Sequence, residues 1–310
     1  MKITGDWIMA PSLHRVLGCL QGGGHRALLV GGCVRNALIG RPVADLDIAT
    51  DALPGRVADL AQAAGLKVVP TGIDHGTVTL IADGVPHEVT TFRRDVETDG
   101  RRAVVAYSTR IEEDAARRDF TMNALYADAA GQVIDPLGGL PDLLARRVRF
   151  VGQPQDRIRE DYLRILRFFR FHAVYGDPAQ GLDAEGLAAC AANLAGIDTL
   201  SRERIGHEMR RLLAAPDPAP TAAAMQAAGV LARILPGADT RALAPLVHLQ
   251  DGLAPDWLTR LAAIGGADPA DALRLSRDEA RRLAILRGLF CNMRNTRSTT
   301  CDTSCLRSRK

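Results

Sequence analysis

The sequence predicts an α+β head over residues 1–150 followed by an all-helical region. Three observations carry this expectation. Between Ala27 and Val151, short β-type runs alternate with helical ones. After Gly152 only helical patterns remain. The chain has 310 residues, 47% apolar and 24% charged, which is enough for about two packed domains and excludes disorder of the whole. Aromatic residues are only 4%, so the core must come from Ala, Leu, Val and Ile.

The elements follow in order. Ala27–Gly31 (ALLVG) reads as a strand, broken by Gly31-Gly32 and followed by a short helix, CVRNALIG. Asp45 to Ala49 alternates polar and apolar residues, as a half-buried strand does. Residues 54–64 suit a helix with Pro54 in its first turn. Strands are expected at 66–69, 76–82 and 85–92. Residues 95–109 are charged, contain Gly100 and lack periodicity, so a mobile loop is expected. Helix dominates from about 111, with a strand at 132–134, a turn at Asp135-Pro136 and Gly138-Gly139, and a short strand at 148–151. Helices are then expected at 155–175, 183–195, 201–214, 219–228, 241–250, 256–263 and 276–289. Pro and Gly separate them at 216–220, 236–237 and 265–269. This gives helical blocks at 151–215 and 216–290. Residues 291–310 turn Ser-, Thr-, Arg- and Cys-rich and contain no Ala. A disordered extension or a shift of reading frame would each produce that change.

The formal net charge is +3, but residues 291–310 alone contribute +4 and the rest is near −1. Any nucleic-acid argument therefore rests on local clusters. Cys19, Cys33 and Cys190 are scattered, while Cys291, Cys301 and Cys305 lack the paired spacing and nearby His of a zinc site. His75, His87, His172 and His207 show no ligand spacing either. No apolar run approaches a membrane span and the N-terminus does not read as a signal peptide. A reducing cytoplasm, no membrane and no obligate protein partner are the expectations.

Four constellations carry chemistry. The first is Gly31-Gly32 followed by Asp45-x-Asp47. Carboxylates at i and i+2 on a strand share a face, where they repel unless a hard divalent cation lies between them. A Gly-Gly step opening a helix lets backbone approach a phosphate, and Arg35 one turn later can add charge-assisted bonds. The second is Glu88 in EVTTFR, a candidate third carboxylate, with Asp83 and Asp95 as competitors. The third is Arg117-Arg118-Asp119-Phe-Thr-Met-Asn123, in which Arg118 could grip a triphosphate while Asp119 and Asn123, sharing a helix face, reach sugar hydroxyls. The fourth is EDYLRILRFFR, where Asp161, Arg164 and Arg167 recur every third residue. A carboxylate accepts and a guanidinium donates. Cytosine and adenine present an amino donor beside a ring-nitrogen acceptor, whereas guanine and uracil present the reverse order. An Asp161/Arg164 pair would thus accept C and A and reject G and U. Arg202, Arg204, Arg210 and Arg211, on a helix N-capped by Ser201, are candidate RNA contacts through phosphate.

In this order GGCVRNALIGRPVADLDIAT, EVTTFRRD, RRDFTMNALYAD, DPLGGLPDL, EDYLRILRFFRF and SRERIGHEMRRLL resemble the class II tRNA nucleotidyltransferase and bacterial poly(A) polymerase family. The resemblance spans about residues 27–290. It implies a polymerase-β-like nucleotidyltransferase head and an all-helical neck and body. It also implies template-independent addition of CMP and AMP to the tRNA 3′ end from CTP and ATP, with Mg²⁺. By position, Asp45 and Asp47 resemble the metal-binding pair, Gly32 and Arg35 phosphate contacts, and Arg118 a nucleotide contact. Asp161, Arg164, Arg167 and Arg170 resemble the base-reading helix, and residues 95–114 the loop linked to the change from CTP to ATP. Asn36 stands where the family usually has Asp. CCA addition is favoured because GIDHGTVTLI and the intact motifs carry no poly(A) signature. A poly(A) polymerase, a partial adder, or a truncated non-catalytic RNA-binding remnant are the alternatives.

Overall fold

The computed structural model describes residues 1–70, 72–73, 76–99 and 102–302. The chain divides into two compact units, Met1–Glu160 and a second beginning at Asp161.

The first unit is built on a seven-stranded sheet in the order β3-β4-β5-β2-β1-β8-β9. Its strands are β1 (Ala27–Val30), β2 (Asp47–Thr50), β3 (Lys67–Val69), β4 (Thr77–Ala82), β5 (Val85–Thr91), β8 (Tyr126–Ala127) and β9 (Val133–Ile134). Among the described residues, only β2 and β5 pair in parallel. Two helices cover one sheet face, α1 (Pro11–Gly22) and α3 (Pro54–Ala63). α1 was not anticipated, yet Leu13, Val16, Leu17 and Leu20 follow helical spacing and all are buried. The same face of the sheet carries Leu29, Ile48, Val89 and Val78, aligned by register and nearly water-free. Residues one position away point to the opposite face. There Leu28, Val30, Ala49, Phe92, Ile111, Ala115 and Tyr126 form a second apolar cluster.

Helix α2 (Gly32–Leu38) leaves β1 directly. The segment expected to be a loop is instead a two-stranded hairpin outside the sheet, β6 (Arg93–Asp99) with β7 (Arg102–Tyr107). Backbone pairing closes it, with a register shift between Asp95 and Glu97. No apolar alternation is needed for such a ribbon, which is why periodicity missed it. Helices α4 (Ile111–Ala116), α5 (Leu140–Leu144) and α6 (Pro154–Glu160) complete the unit. The strand expected at 148–151 reduces to one bridge, Phe120 to Phe150.

The second unit is all-helical over its described residues, as anticipated. It holds α7 (Leu163–Tyr175), α8 (Ala184–Ala192), α9 (Arg202–Leu213), α10 (Ala219–Ala227), α11 (Val230–Ile234), α12 (Leu243–Leu249), α13 (Trp257–Ile264), α14 (Pro269–Ala272) and α15 (Arg277–Asp302). The continuous helix expected over 155–175 is broken at Asp161-Tyr162, where the Asp161 carboxylate accepts from the Leu163 amide at 3.0 Å. The short α11 and α14 were not foreseen. α15 runs to Asp302. Residues 303–310 lie outside the described residues.

Among the described residues no helix is long and apolar enough to cross a membrane. Cys19, Cys33 and Cys190 are free thiols. His207 is exposed, His87 is buried without a partner, and His75 lies outside the described residues. His172 on α7 is 4% exposed and bridges Thr221 Oγ1 (2.8 Å) and the Gly181 carbonyl (3.1 Å). Burial pushes its pKa below the ordinary 6.5, against smaller opposing effects of Gly181 and Asp177.

The unfolded chain therefore takes up this proton more readily than the folded one, and stability falls as pH drops below about 6.5. A chain carrying His172→Gln is expected to lose less melting temperature between pH 7 and pH 5 than the wild type does. Equal losses contradict this reading of His172.

Candidate active site

The parallel pairing of β2 with β5 sets Asp47 directly beside Glu88. Register places both on the sheet face opposite α1 and α3, in line with Thr79 on β4. Glu88 sits in the middle of its strand and is exposed. Asp45 lies two residues before β2 begins, close enough to act on the Asp47 charge. Burial raises the Asp47 pKa most, then Glu88, while Arg118 opposes and Asp45 adds. Asp47 is exposed by surface, so protein atoms displace water around a carboxylate that still faces open space. The competitor Asp83 is elsewhere: with Gly84 it makes the positive-φ turn between β4 and β5, and it pairs with Arg15. The side chain of Asp95 lies outside the described residues. Among the described residues no three His, Cys, Asp or Glu side chains are gathered into a metal cage. Two carboxylates completed by substrate phosphate oxygens are, however, a normal ligand set for Mg²⁺.

Gly31 turns the chain from β1 into α2 at φ 72°, a conformation that other residues adopt only under strain. A Cβ there would stand 3.4 Å from Arg118 Nη1. Arg35, one turn into α2, is 6% exposed. Its Nη1 donates to Asn123 Oδ1, and its Nε and Nη2 donate to Asn36 Oδ1 at 3.1 and 2.9 Å. Asn36 in turn donates to the Pro42 carbonyl at 3.0 Å. An amide thus serves as the acceptor for Arg35 at this position. Gly32 lies against the same guanidinium, a Cβ there standing 3.8 Å from Arg35 Nη2.

Asp119 and Asn123 do not share a continuous helix. α4 stops at Ala116, and Thr121–Asn123 is one isolated 3₁₀ turn. The two side chains still meet, Asn123 Nδ2 donating to Asp119 Oδ1 at 2.8 Å, and both residues are buried. They form a brace behind Arg35 rather than an open helix face.

Arg118 is partly exposed and donates through Nε to the Tyr126 hydroxyl (3.1 Å) and through Nη2 to Asp114 Oδ2 (2.9 Å). Asp114 and Tyr126 were missed in the sequence. Asp114 stands four residues before Arg118, the spacing of a helical ion pair, and that signal could have found it.

The remaining candidates belong to the second unit. Asp161 accepts from the Leu163 amide on one oxygen and from Arg204 Nη2 on the other, at 3.0 and 2.7 Å. Arg164 and Arg167 are half-buried on α7, with Arg167 5.2 Å over the Phe171 ring. Arg170, the last of the four residues expected on the base-reading helix, points into the unit. It is 3% exposed and ion-paired with buried Glu208 of α9. Three of the four arginines expected on an RNA-facing helix also have partners within the unit. Arg202 pairs with Asp271, Arg204 with Asp161, and Arg210 with Glu279 while lying 5.3 Å over Trp257. Such exposed pairs are weak and can be exchanged for a phosphate. Arg211 is exposed, and Ser201 does cap the helix, accepting from the Arg204 amide.

Comparison with known proteins gives this geometry a lineage. Residues 27–149 match the family model described as "Poly A polymerase head domain", and residues 182–241 match "Probable RNA and SrmB- binding site of polymerase A". The CCA-adding enzyme of Geobacillus thermodenitrificans is 38% identical over 260 residues, 82% of this chain and 59% of its own length. The human mitochondrial CCA tRNA nucleotidyltransferase 1 is 41% identical over 190 residues, 61% of this chain and 44% of its own. The crystal structure of the Bacillus stearothermophilus CCA-adding enzyme in complex with CTP superposes with TM-score 0.72 at 34% identity, covering 91% of this chain and 71% of that one. The chain belongs to the tRNA nucleotidyltransferase and poly(A) polymerase family. Its head has the polymerase-β-like fold of that family. The chain spans about half the length of the curated relatives it matches.

Within this family head, the Gly31 turn is a local test of the geometry. Gly31→Ala is expected to cost about 1–3 kcal/mol in urea unfolding, from the strained φ. An unchanged unfolding midpoint contradicts the assigned turn.

Proposed function

We propose that this chain is a template-independent nucleotidyltransferase that adds CMP and AMP to the 3′ end of tRNA from CTP and ATP, releasing pyrophosphate. The observation that carries the proposal is the carboxylate group on the open sheet face, Asp45 and Asp47 with Glu88 beside them. Relatives named as CCA-adding enzymes, one solved with CTP, support the choice of substrates.

In this reading the RNA 3′-hydroxyl oxygen attacks the α-phosphorus and the bond to the pyrophosphate oxygen breaks. The hydroxyl proton passes to solvent. Asp45 and Asp47 are the residues that would hold Mg²⁺, which when bound neutralises charge on the phosphates and acidifies the attacking hydroxyl. Glu88 adds negative potential next to Asp47 and so favours a cation there. Arg118 meets the triphosphate beside the Gly31-Gly32 turn, and Arg35 with Asn123 and Asp119 keeps that turn in shape. Asp161, held by Leu163 and Arg204, presents acceptors for the exocyclic amino group of C or A, and Arg164 supplies the donor. Arg211 and the exchangeable pairs of Arg202 and Arg210 offer cations to RNA phosphates. The surroundings are cytoplasmic on this reading.

Asp47→Asn keeps the shape and removes the charge. It is expected to lower CMP incorporation into an RNA primer by about a thousandfold or more. Near-wild-type incorporation refutes the assignment. Asp161→Ala is expected to erode discrimination between CTP and UTP by roughly a hundredfold while CTP is still bound through its phosphates. Undiminished discrimination removes Asp161 from base reading.

A further inference from the structure

Asp114 is a buried carboxylate of the first unit with four hydrogen-bond donors around it. It sits on α4 at 1% exposure. Oδ2 accepts from Arg118 Nη2 (2.9 Å) and from the Tyr126 hydroxyl (2.7 Å). Oδ1 accepts from Arg117 Nε (2.9 Å) and from the backbone amide of Arg93 (3.3 Å). Burial alone would raise this carboxyl, but Arg118, Arg117 and Tyr126 hold it down at about 2. It is therefore an anion at any working pH.

The geometry at Arg118 is directional. Tyr126 takes Nε, Asp114 takes Nη2, and the guanidinium lies 5.3 Å over the Tyr126 ring. Tyr126 is itself fixed, fully buried and edge-on to Phe92 at 6.4 Å. Two edges of the guanidinium are thus consumed by a rigid corner. The third, Nη1, is left beside the Gly31 turn, 3.4 Å from where a Cβ would stand. The second oxygen of Asp114 reaches the first residue of β6, whose pairing with Tyr107 closes the root of the β6–β7 hairpin.

We infer that Asp114 is a positioning residue for nucleotide binding, aiming Arg118 Nη1 at substrate phosphate and tying that aim to the root of the β6–β7 hairpin. The inference rests on the nucleotidyl-transfer reading for its substrate, but its chemistry is only that of a polyphosphate anion at Arg118. Asp114 touches no substrate and acts through Arg118. Removing its charge frees the guanidinium to swing, and the phosphate contact loses its preorganisation.

A double-mutant cycle on the full chain separates this role from a structural one. CTP and inorganic tripolyphosphate are titrated calorimetrically into wild type, Asp114→Asn, Arg118→Ala and the double variant, each with a thermal melt. Asp114→Asn is expected to weaken CTP binding by roughly tenfold to a hundredfold, the range for hydrogen bonds to charged groups. Arg118→Ala is expected to weaken it at least as much, and the double variant no further than Arg118→Ala alone. Losses that add in the double variant, or wild-type affinity in Asp114→Asn, overturn the inference. Tyr126→Phe keeps the ring and removes only the hydroxyl corner. It is expected to give a smaller loss that also vanishes in the Arg118→Ala background, and it decides the matter if Asp114→Asn does not melt cooperatively. A wild type that binds tripolyphosphate but not CTP refutes the nucleotide reading and leaves the cycle to be scored on tripolyphosphate. A wild type that binds neither overturns both.

Discussion

The head depends on the parallel pairing of β2 with β5. It forces Asp47 and Glu88 side by side with Asp45 upstream, an arrangement of like charges that isolated strands would avoid. Packing on the other face supports it. Ile48 and Val89 are both buried, and α1 and α3 pack on β5, so a one-residue slip of either strand would bury a carboxylate in oil and expose an aliphatic residue. Hydrophobic burial thus fixes a cluster of charge that electrostatics alone would disperse. Burial first, and then the neighbouring Glu88, push the Asp47 pKa up, and a cation with phosphate oxygens would offset both.

Both units brace candidate site residues and their neighbours with buried ions. In the head, Asp114 gathers Arg117, Arg118 and the Tyr126 hydroxyl, and Asn123 links Asp119 to Arg35. In the second unit, Glu208 pairs with Arg170 between α9 and α7, and buried Arg260 donates to the carbonyl of Leu213 at the end of α9 and to those of Ala215 and Pro216 just past it. Such groups add little net stability, because desolvation offsets their attraction. What they contribute is direction, since a hydrogen-bonded buried ion has few alternative positions.

Much of this was legible in residue order. The strand at Asp45–Ala49 announced itself by alternation, and the Gly31-Gly32 and Asp45-x-Asp47 pattern pointed to the candidate site before any fold was known. Glu88 was legible only as a candidate, because its partner strand lies forty residues away and register is a tertiary property. Residues 95–109 were read as a loop because the pairing of β6 with β7 is carried by backbone and leaves no periodic signal. The burial of Arg170 was not legible for the opposite reason. It follows the polar positions Asp161, Arg164 and Arg167 at the same spacing, and only the approach of α9 brings Glu208 to bury it. The inward turn of Asp119 and Asn123 was likewise hidden, since nothing local marks α4 as ending at Ala116.

The central claim is that this site adds a short defined sequence without a template. The most direct measurement is product length on a denaturing gel, with the wild-type chain, tRNA ending just before CCA, and each nucleoside triphosphate supplied alone and in pairs. The account predicts a stop after three residues that needs CTP and then ATP, with GTP and UTP inert. A long ladder from ATP alone, or incorporation indifferent to the base, would contradict it.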